Sequence, residues 1–299
     1  MKSKPVRNDS VATIDNDGKV SNSRLHEQMT EGVDDYDFRM QTRAKLLAGG
    51  VPASVLDSVL AVNRDPTRLE ATSARSQFAK RVIQEFLPQF CNHKGYDSAG
   101  FNLQTVDRIS EYDAMWFLKA LETKVVLSEG AFFKTPLHSG AKEQIFWQYG
   151  KPASNRKITV WAEPIISIGA AGRLHSQFGW PKDRIGLQSK KNWAFDLVTY
   201  DAAGSQPLVC CEIKKNRSEI DYLIQAVLEH FPQAALAEEP STPKLRNAYR
   251  KVMALRQMKP RLLWILGPEN YGKLFCVANN ANEPATLEEI EEDALEWRG

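Results

Sequence analysis

The chain has 299 residues, 42% of them hydrophobic and 25% charged, with a formal net charge of +2. That supply of apolar side chains suffices for a proper core and excludes a disordered chain. The near balance of 39 basic and 37 acidic residues means that bulk charge selects no class of partner. No stretch approaches the roughly twenty apolar residues that a membrane helix needs. The opening MKSKPVRNDSVATIDNDGKVSNSR lacks the apolar core of a secretion signal, so neither secretion nor a membrane partner is expected. Cys91, Cys210, Cys211 and Cys276 form no C-x-x-C pair, and two of them are adjacent in an apolar run. This suits buried reduced thiols and a cytoplasmic location.

Residues 1–34 are rich in Ser, Asn, Asp and Lys with almost no large apolar side chains, and they read as a flexible tail. From Tyr36 the pattern turns helical. One segment ends at Gly49-Gly50, another runs from Pro52 to Val62 with Ala53, Leu56 and Leu60 on one face, and a longer one runs from Ala74 to Phe90. Ser110 and Asp113 form a capping box that opens the helix EYDAMWFLKALE. Residues 35–150 therefore read as a mainly α-helical region.

After the turn-rich residues 140–155 the character changes. RKITVWA, NWAFDLVTY, PLVCCEIKK, RLLWILG and KLFCVA read as short strands bounded by Gly, Pro, Asp and Asn. Two helices interrupt them, one from near Glu163 toward Phe178 and one from Ser218 to Phe231. The second carries Ile220, Leu223, Ile224, Val227, Leu228 and Phe231 at helical spacing and is expected to lie on the sheet. Residues 151–282 are thus an α/β domain, a mixed sheet flanked by helices. TLEEIEEDALEW, with Thr286 and Glu289 as a capping box, predicts an acidic C-terminal helix over 283–299.

The chemistry concentrates in NWAFDLVTYDAAGSQPLVCCEIKK, two strands joined by a turn at Asp201, Gly204 and Pro207. Side chains alternate along a strand, so Glu212 and Lys214 share a face while Ile213 points to the other. Across a short turn Asp196 can stand opposite Glu212, which brings two carboxylates and an ammonium to one spot. An E-x-K tripeptide alone usually marks a solvated edge. Here it ends the apolar run LVCC, which marks a buried central strand. Such a carboxylate pair suits a hard cation such as Mg²⁺, with Mn²⁺ as a substitute.

These residues resemble the PD-(D/E)xK, or restriction-endonuclease-like, nuclease superfamily. WAEPIISIGAAGRLHSQFGWPKDRIGLQSKKNWAFDL is similar to the start of nuclease domains in type I restriction enzymes. The resemblance covers residues 160–277 and implies a helix, three strands, a helix and a strand. It implies Asp196 and Glu212 as metal ligands, Glu163 as a further ligand from the helix, and Lys214 as water activator or charge stabiliser. Glu143 is the alternative helix acid. Phe195 stands where the family has its proline. On this basis the chain is expected to be a Mg²⁺-dependent endonuclease acting on DNA, in restriction, phage defence or repair. The alternative is a catalytically silent DNA-binding or assembly module that keeps the fold.

Gln225, on the polar side of the helix after the E-x-K strand, and Lys215 are weaker site candidates. PKLRNAYRKVMALRQMKPR contains no acid and offers Arg246, Arg250 and Lys251 to DNA phosphates, with Lys190 and Lys191 beside the proposed site. No nucleotide-binding glycine loop or zinc-ligand spacing appears. A homodimer, or a partner protein supplying specificity or a motor, remains open.

Overall fold

The structure, a computed structural model, describes residues 73–149, 157–188, 194–233, 239–279 and 285–298. The chain divides into two units, Met1–Leu56 and Asp57–Gly299, and every described residue belongs to the second. The expected tail and the helices between Tyr36 and Val62 lie outside the described residues.

Helix α1 (Ala74–Arg81) starts at Ser73, whose side chain accepts from the Ser76 N–H. It continues through one π turn, Val82–Phe86, into α2 (Leu87–Lys94), which Gly95 ends at φ 67°. The Leu87 N–H reaches back to the Val82 carbonyl. Pro88 follows with no N–H to give, a common setting for a widened turn. Helix α3 (Glu111–Glu122) opens as expected at Ser110, whose hydroxyl accepts from the Asp113 N–H at 3.0 Å.

Within the described part of the region expected to be mainly helical, helices prevail up to α3 and strands follow. Strands β1 (Leu127–Glu129), β2 (Phe132–Lys134) and β3 (Glu143–Gln144) form an antiparallel sheet, and β4 (Phe146–Tyr149) pairs with β5 (Lys157–Val160) as a hairpin. Strands this short carry too little alternation to register in a sequence. Aromatic packing holds them: Phe133 meets Phe86 and Phe117 edge to face at 5.3 and 5.4 Å, and Phe117 meets Phe78 at 5.2 Å. Such contacts add to the area that the rings bury.

The remaining elements are α4 (Ala162–Ser176), β6 (Ile185–Leu187), β7 (Leu197–Tyr200), β8 (Pro207–Ile213), α5 (Arg217–His230), α6 (Pro243–Met258), β9 (Leu262–Leu266), β10 (Gly272–Ala278) and β11 (Thr286–Ile290). Six of the strands form one mixed sheet in the order β11-β10-β9-β8-β7-β6. Its pairs are antiparallel except β8 with β9. A parallel pair needs a crossover, and α5 and α6 supply it. Leu197, Val209, Cys211, Ile213 and Trp264 share a core with Ile165, Ile168 and Ala171 of α4. Val198, Cys210, Leu263 and Ile265 share the other with Ile220 and Val227 of α5 and Val252 and Leu255 of α6. Both faces are covered, which is why the central strands read as nearly unbroken apolar runs.

The acidic C-terminal helix is replaced by a strand. β11 pairs with β10 from Leu274↔Ile290 to Ala278↔Thr286, and only a short 3-10 turn, Glu292–Leu295, follows. The free edge of β10 offers backbone partners, and Leu287 and Ile290 each find an apolar core. Together these outweigh the helix preference of a Glu-rich segment. Lys273 bridges Glu289 across the pair at 2.6 Å, so the sheet ends in a charged edge. No helix among the described residues is long and apolar enough to cross a membrane.

Helix α4 lies close against α3. A Cβ at Gly172 would stand 2.8 Å from the Trp116 carbonyl oxygen and 2.9 Å from the Ala120 nitrogen. Backbone cannot yield there as a side-chain tip would. Gly172→Val is therefore expected to lower stability by about 1–3 kcal/mol in urea denaturation. An unchanged midpoint would show that the two helices are free to part.

Candidate active site

The site is built where β7 begins and β8 ends, beside α6. Glu212 is only 2% exposed because β8 runs through the middle of the sheet, flanked by β7 and β9. The register Leu197↔Cys211 and Val198↔Cys210, continued by one residue, sets Asp196 opposite Glu212. Asp196 Oδ2 accepts the Ile213 N–H at 2.7 Å, and Oδ1 accepts from Gln188 Nε2 at 3.3 Å. The same Gln188 nitrogen donates to Glu143 Oε1 at 3.0 Å. Gln188 thereby joins the acid on β3 to the acid before β7.

Both oxygens of Glu212 are taken by ammonium groups. Lys214 Nζ donates to Oε1 and to the Ile213 carbonyl oxygen at 2.9 Å. Lys251 Nζ, from α6, donates to Oε2 at 2.5 Å and to the Ala194 carbonyl at 2.7 Å. It also lies 5.5 Å from the centre of the Phe195 ring. A buried carboxylate costs several kcal/mol of lost hydration unless such partners offset it.

Burial, and then the neighbouring charge of Glu212, push the Asp196 carboxyl up to about 8 against the pull of Lys251 and the Ile213 N–H. Burial lifts Glu143 to about 7, and Glu163 adds to that rise. Glu163 is itself raised by burial, with Lys214 opposing. For Lys214, burial works against the charge, but Glu212 outweighs it and holds the ammonium above its ordinary value. Three carboxyls are thus raised by burial around the fixed ammonium of Lys214.

Asp196, Glu212 and Lys214, expected together, are together. Glu163 sits in the first turn of α4 and meets the cluster through its field alone, coupled to Lys214, Glu219, Lys215 and Glu212. Glu143, the alternative acid, reaches Asp196 through Gln188, so the two acids flank the pair from different elements. Among the described residues no three His, Cys, Asp or Glu side chains converge to cage a metal ion by themselves.

The weaker candidates lie apart from the pair. Gln225 is exposed on α5, and Lys215 pairs with Glu219 at 3.3 Å. The basic cluster on α6 is largely engaged within the chain. Arg246 donates to the Pro240 carbonyl at 3.0 Å and the Ser241 carbonyl at 2.6 Å. Arg250 pairs with Glu239 at 2.9 Å, and Lys251 turns inward. Lys190 and Lys191 lie outside the described residues.

Sequence reasoning missed Gln188 and the inward role of Lys251. For Lys251 a signal existed: it lies three residues after Ala248 and four before Leu255, both buried, and so on the apolar stripe of its helix. Gln188 follows a strand of three residues and had none.

Lys251→Met, which keeps the stem and removes the charge, should leave Glu212 half paired and cost about 3–5 kcal/mol in urea denaturation. Glu212→Gln in the same background should recover much of that loss. A cost below about 1 kcal/mol would mean that the pair is not a buried ion pair of this kind.

The Asp196 carboxyl titrates higher folded than unfolded. Its contribution is fully present below about pH 4, near the ordinary Asp value, and is lost as pH rises through about 8. Asp196→Asn, which cannot ionise, should therefore be more stable than wild type at pH 8 and equal to it near pH 4. A difference that stays constant with pH would refute the raised carboxyl. No protein-family model, curated protein or solved structure matches this chain.

Proposed function

We propose that the chain is a divalent-cation-dependent nuclease that hydrolyses DNA phosphodiester bonds at Asp196, Glu212 and Lys214, on a restriction-endonuclease-like core. The observation that carries this reading is the register that sets Asp196 opposite Glu212 on buried strands, with the Lys214 ammonium on the same carboxylate. The succession α4, β6 to β8, α5 and β9 supports it, being the order of helix and strands that such a core requires.

The residues present fit a hard cation. Asp196 and Glu212 offer carboxylate oxygens, and the Ile213 carbonyl adds a third oxygen that Lys214 now holds together with Glu212. An ammonium resting between a carboxylate and a carbonyl marks where positive charge is wanted. An all-oxygen set favours Mg²⁺ or Mn²⁺ over metals that prefer nitrogen or sulfur. Such a cation, when bound, neutralises charge on phosphate oxygens and lowers the pKa of a bound water.

The chain's own groups do the rest. Asp196 must give up its proton before it can ligate, so cation binding releases protons and weakens at low pH. Lys214 stays protonated at neutral pH, since its value is raised rather than lowered. That makes it a donor to the phosphate oxygens, where charge grows in the transition state, rather than a base. Lys251 keeps Glu212 paired and oriented while no cation is bound. Glu163 and Glu143 stand beside the pair with their carboxyls raised by burial.

The fully satisfied oxygens of Glu212 also favour a second reading, a silent module in which the same charges only hold β8 to α6. One experiment separates the two. Plasmid, linear duplex and single-stranded DNA are incubated with purified protein and Mg²⁺, Mn²⁺ or EDTA, beside folded Asp196→Asn and Lys214→Met variants. Cation-dependent cutting that falls about a hundredfold or more in each variant is expected. Intact DNA with both cations would leave the silent module.

A further inference from the structure

The β4–β5 hairpin buries one face and leaves the other bare. Phe146, Ile158 and Val160 enter the core, whereas Trp147 is 54% and Tyr149 48% exposed. On the strand pair Trp147 stands opposite Thr159 and Tyr149 opposite Lys157. Trp161 meets Trp147 edge to face, with ring centres 5.3 Å apart, and Lys157 Nζ lies 5.9 Å from the centre of the Tyr149 ring. Two open aromatic rings, a third behind them and an ammonium therefore line one surface. Rings of this size are seldom left so open without a use.

The charge of the surrounding sequence has one sign. From Gln144 to Ala162 the sequence carries Lys151, Arg156 and Lys157 and no acid. Acids stand only at the two roots of the hairpin, Glu143 and Glu163, the pair that flanks Asp196 and Glu212. The Trp161 backbone N–H donates to the Ile145 carbonyl at 2.8 Å and ties those roots together. The aromatic surface therefore grows out of the rim of the candidate site.

We infer that this hairpin is a stacking platform for unpaired bases, and that the nucleic acid it presents to the site is single-stranded. The inference rests on the nuclease reading and names its substrate class. Trp147 and Tyr149 offer ring faces to successive bases, and Lys157 offers a cation to the phosphates between them. Stacking on rings tolerates any base, because every base has a π face. The exposed face carries little that could read base edges, so the platform selects strandedness rather than sequence.

The test uses full-length Asp196→Asn protein in EDTA, so that binding is measured without cutting. Fluorescence anisotropy compares a fluorescein-labelled single strand of mixed sequence with its duplex. Trp147→Ala and Tyr149→Ala in this background should each weaken single-strand binding by about tenfold or more and leave duplex binding unchanged. Trp147→Phe, which keeps a ring, should retain most of the affinity.

Equal single-strand affinity in both alanine variants overturns the platform, as does a parent that binds duplex only. So does self-association that Trp147→Ala abolishes while single-strand binding persists, since the rings would then serve a second copy of this chain. Ring-dependent strand binding by a wild type that cuts no DNA would sink the nuclease reading alone. Cation-dependent cutting that ignores both rings would sink the platform alone.

Discussion

The carboxylate of Glu212 is the constraint around which this fold is arranged. It lies on β8, the strand that pairs antiparallel with β7 and parallel with β9, where an unpaired charge would cost more than most single interactions can return. Two ammonium groups offset that cost, and each comes with a structural commitment. Lys214 keeps β8 in line beyond its last paired residue, and Lys251 fixes the rotation of α6 about its own axis. The Ala194 carbonyl, held by the same ammonium, draws in the approach to β7. Helix, strand and loop are thus positioned by one charge.

The opposite face of the sheet carries a counterpart. Arg173 of α4 is 5% exposed and holds Glu292 through both of its terminal nitrogens, with Nη1 to Oε1 at 3.1 Å. The rings of Tyr112, Phe178 and Trp264 surround its guanidinium. A planar fork among aromatic rings is a task that lysine could not perform. Arg173 anchors the end of the chain that follows β11, as Lys251 anchors α6. On each face a buried charge thus draws in a segment remote in sequence.

Much of this could be read from residues alone, for reasons that differ by element. Helices α3, α4 and α5 announced themselves through Ser110, Glu163 and the stripe from Ile220 to Phe231, because a helix repeats its signal over several turns. Strand β8 showed itself by its unbroken apolar run, and the pairing of Asp196 with Glu212 followed from the alternation of side chains across a short turn. Strands β1 to β4 were hidden by their brevity. β11 was hidden by its glutamates, since only the open edge of β10 makes a strand of them. The inward turn of Lys251 was masked by basic neighbours that suggested a surface. Gln188 could not be foreseen, because its role is to bridge Glu143 and Asp196, which meet only in the folded chain.

The parallel pairing of β8 with β9 has a bearing on how the protein is made. Lys251 follows Glu212 by 39 residues, and it meets that carboxylate only once the α5–α6 crossover has closed. Closing so long a loop precedes any reward from the contacts it brings, and contacts of this kind form slowly. During synthesis Glu212 leaves the ribosome well before its second counter-ion, so the nascent hairpin of β7 and β8 holds its acids incompletely paired. Glu212 therefore gains its second ammonium only after α6 has been added, and a chain cut short before α6 would lack that ion pair.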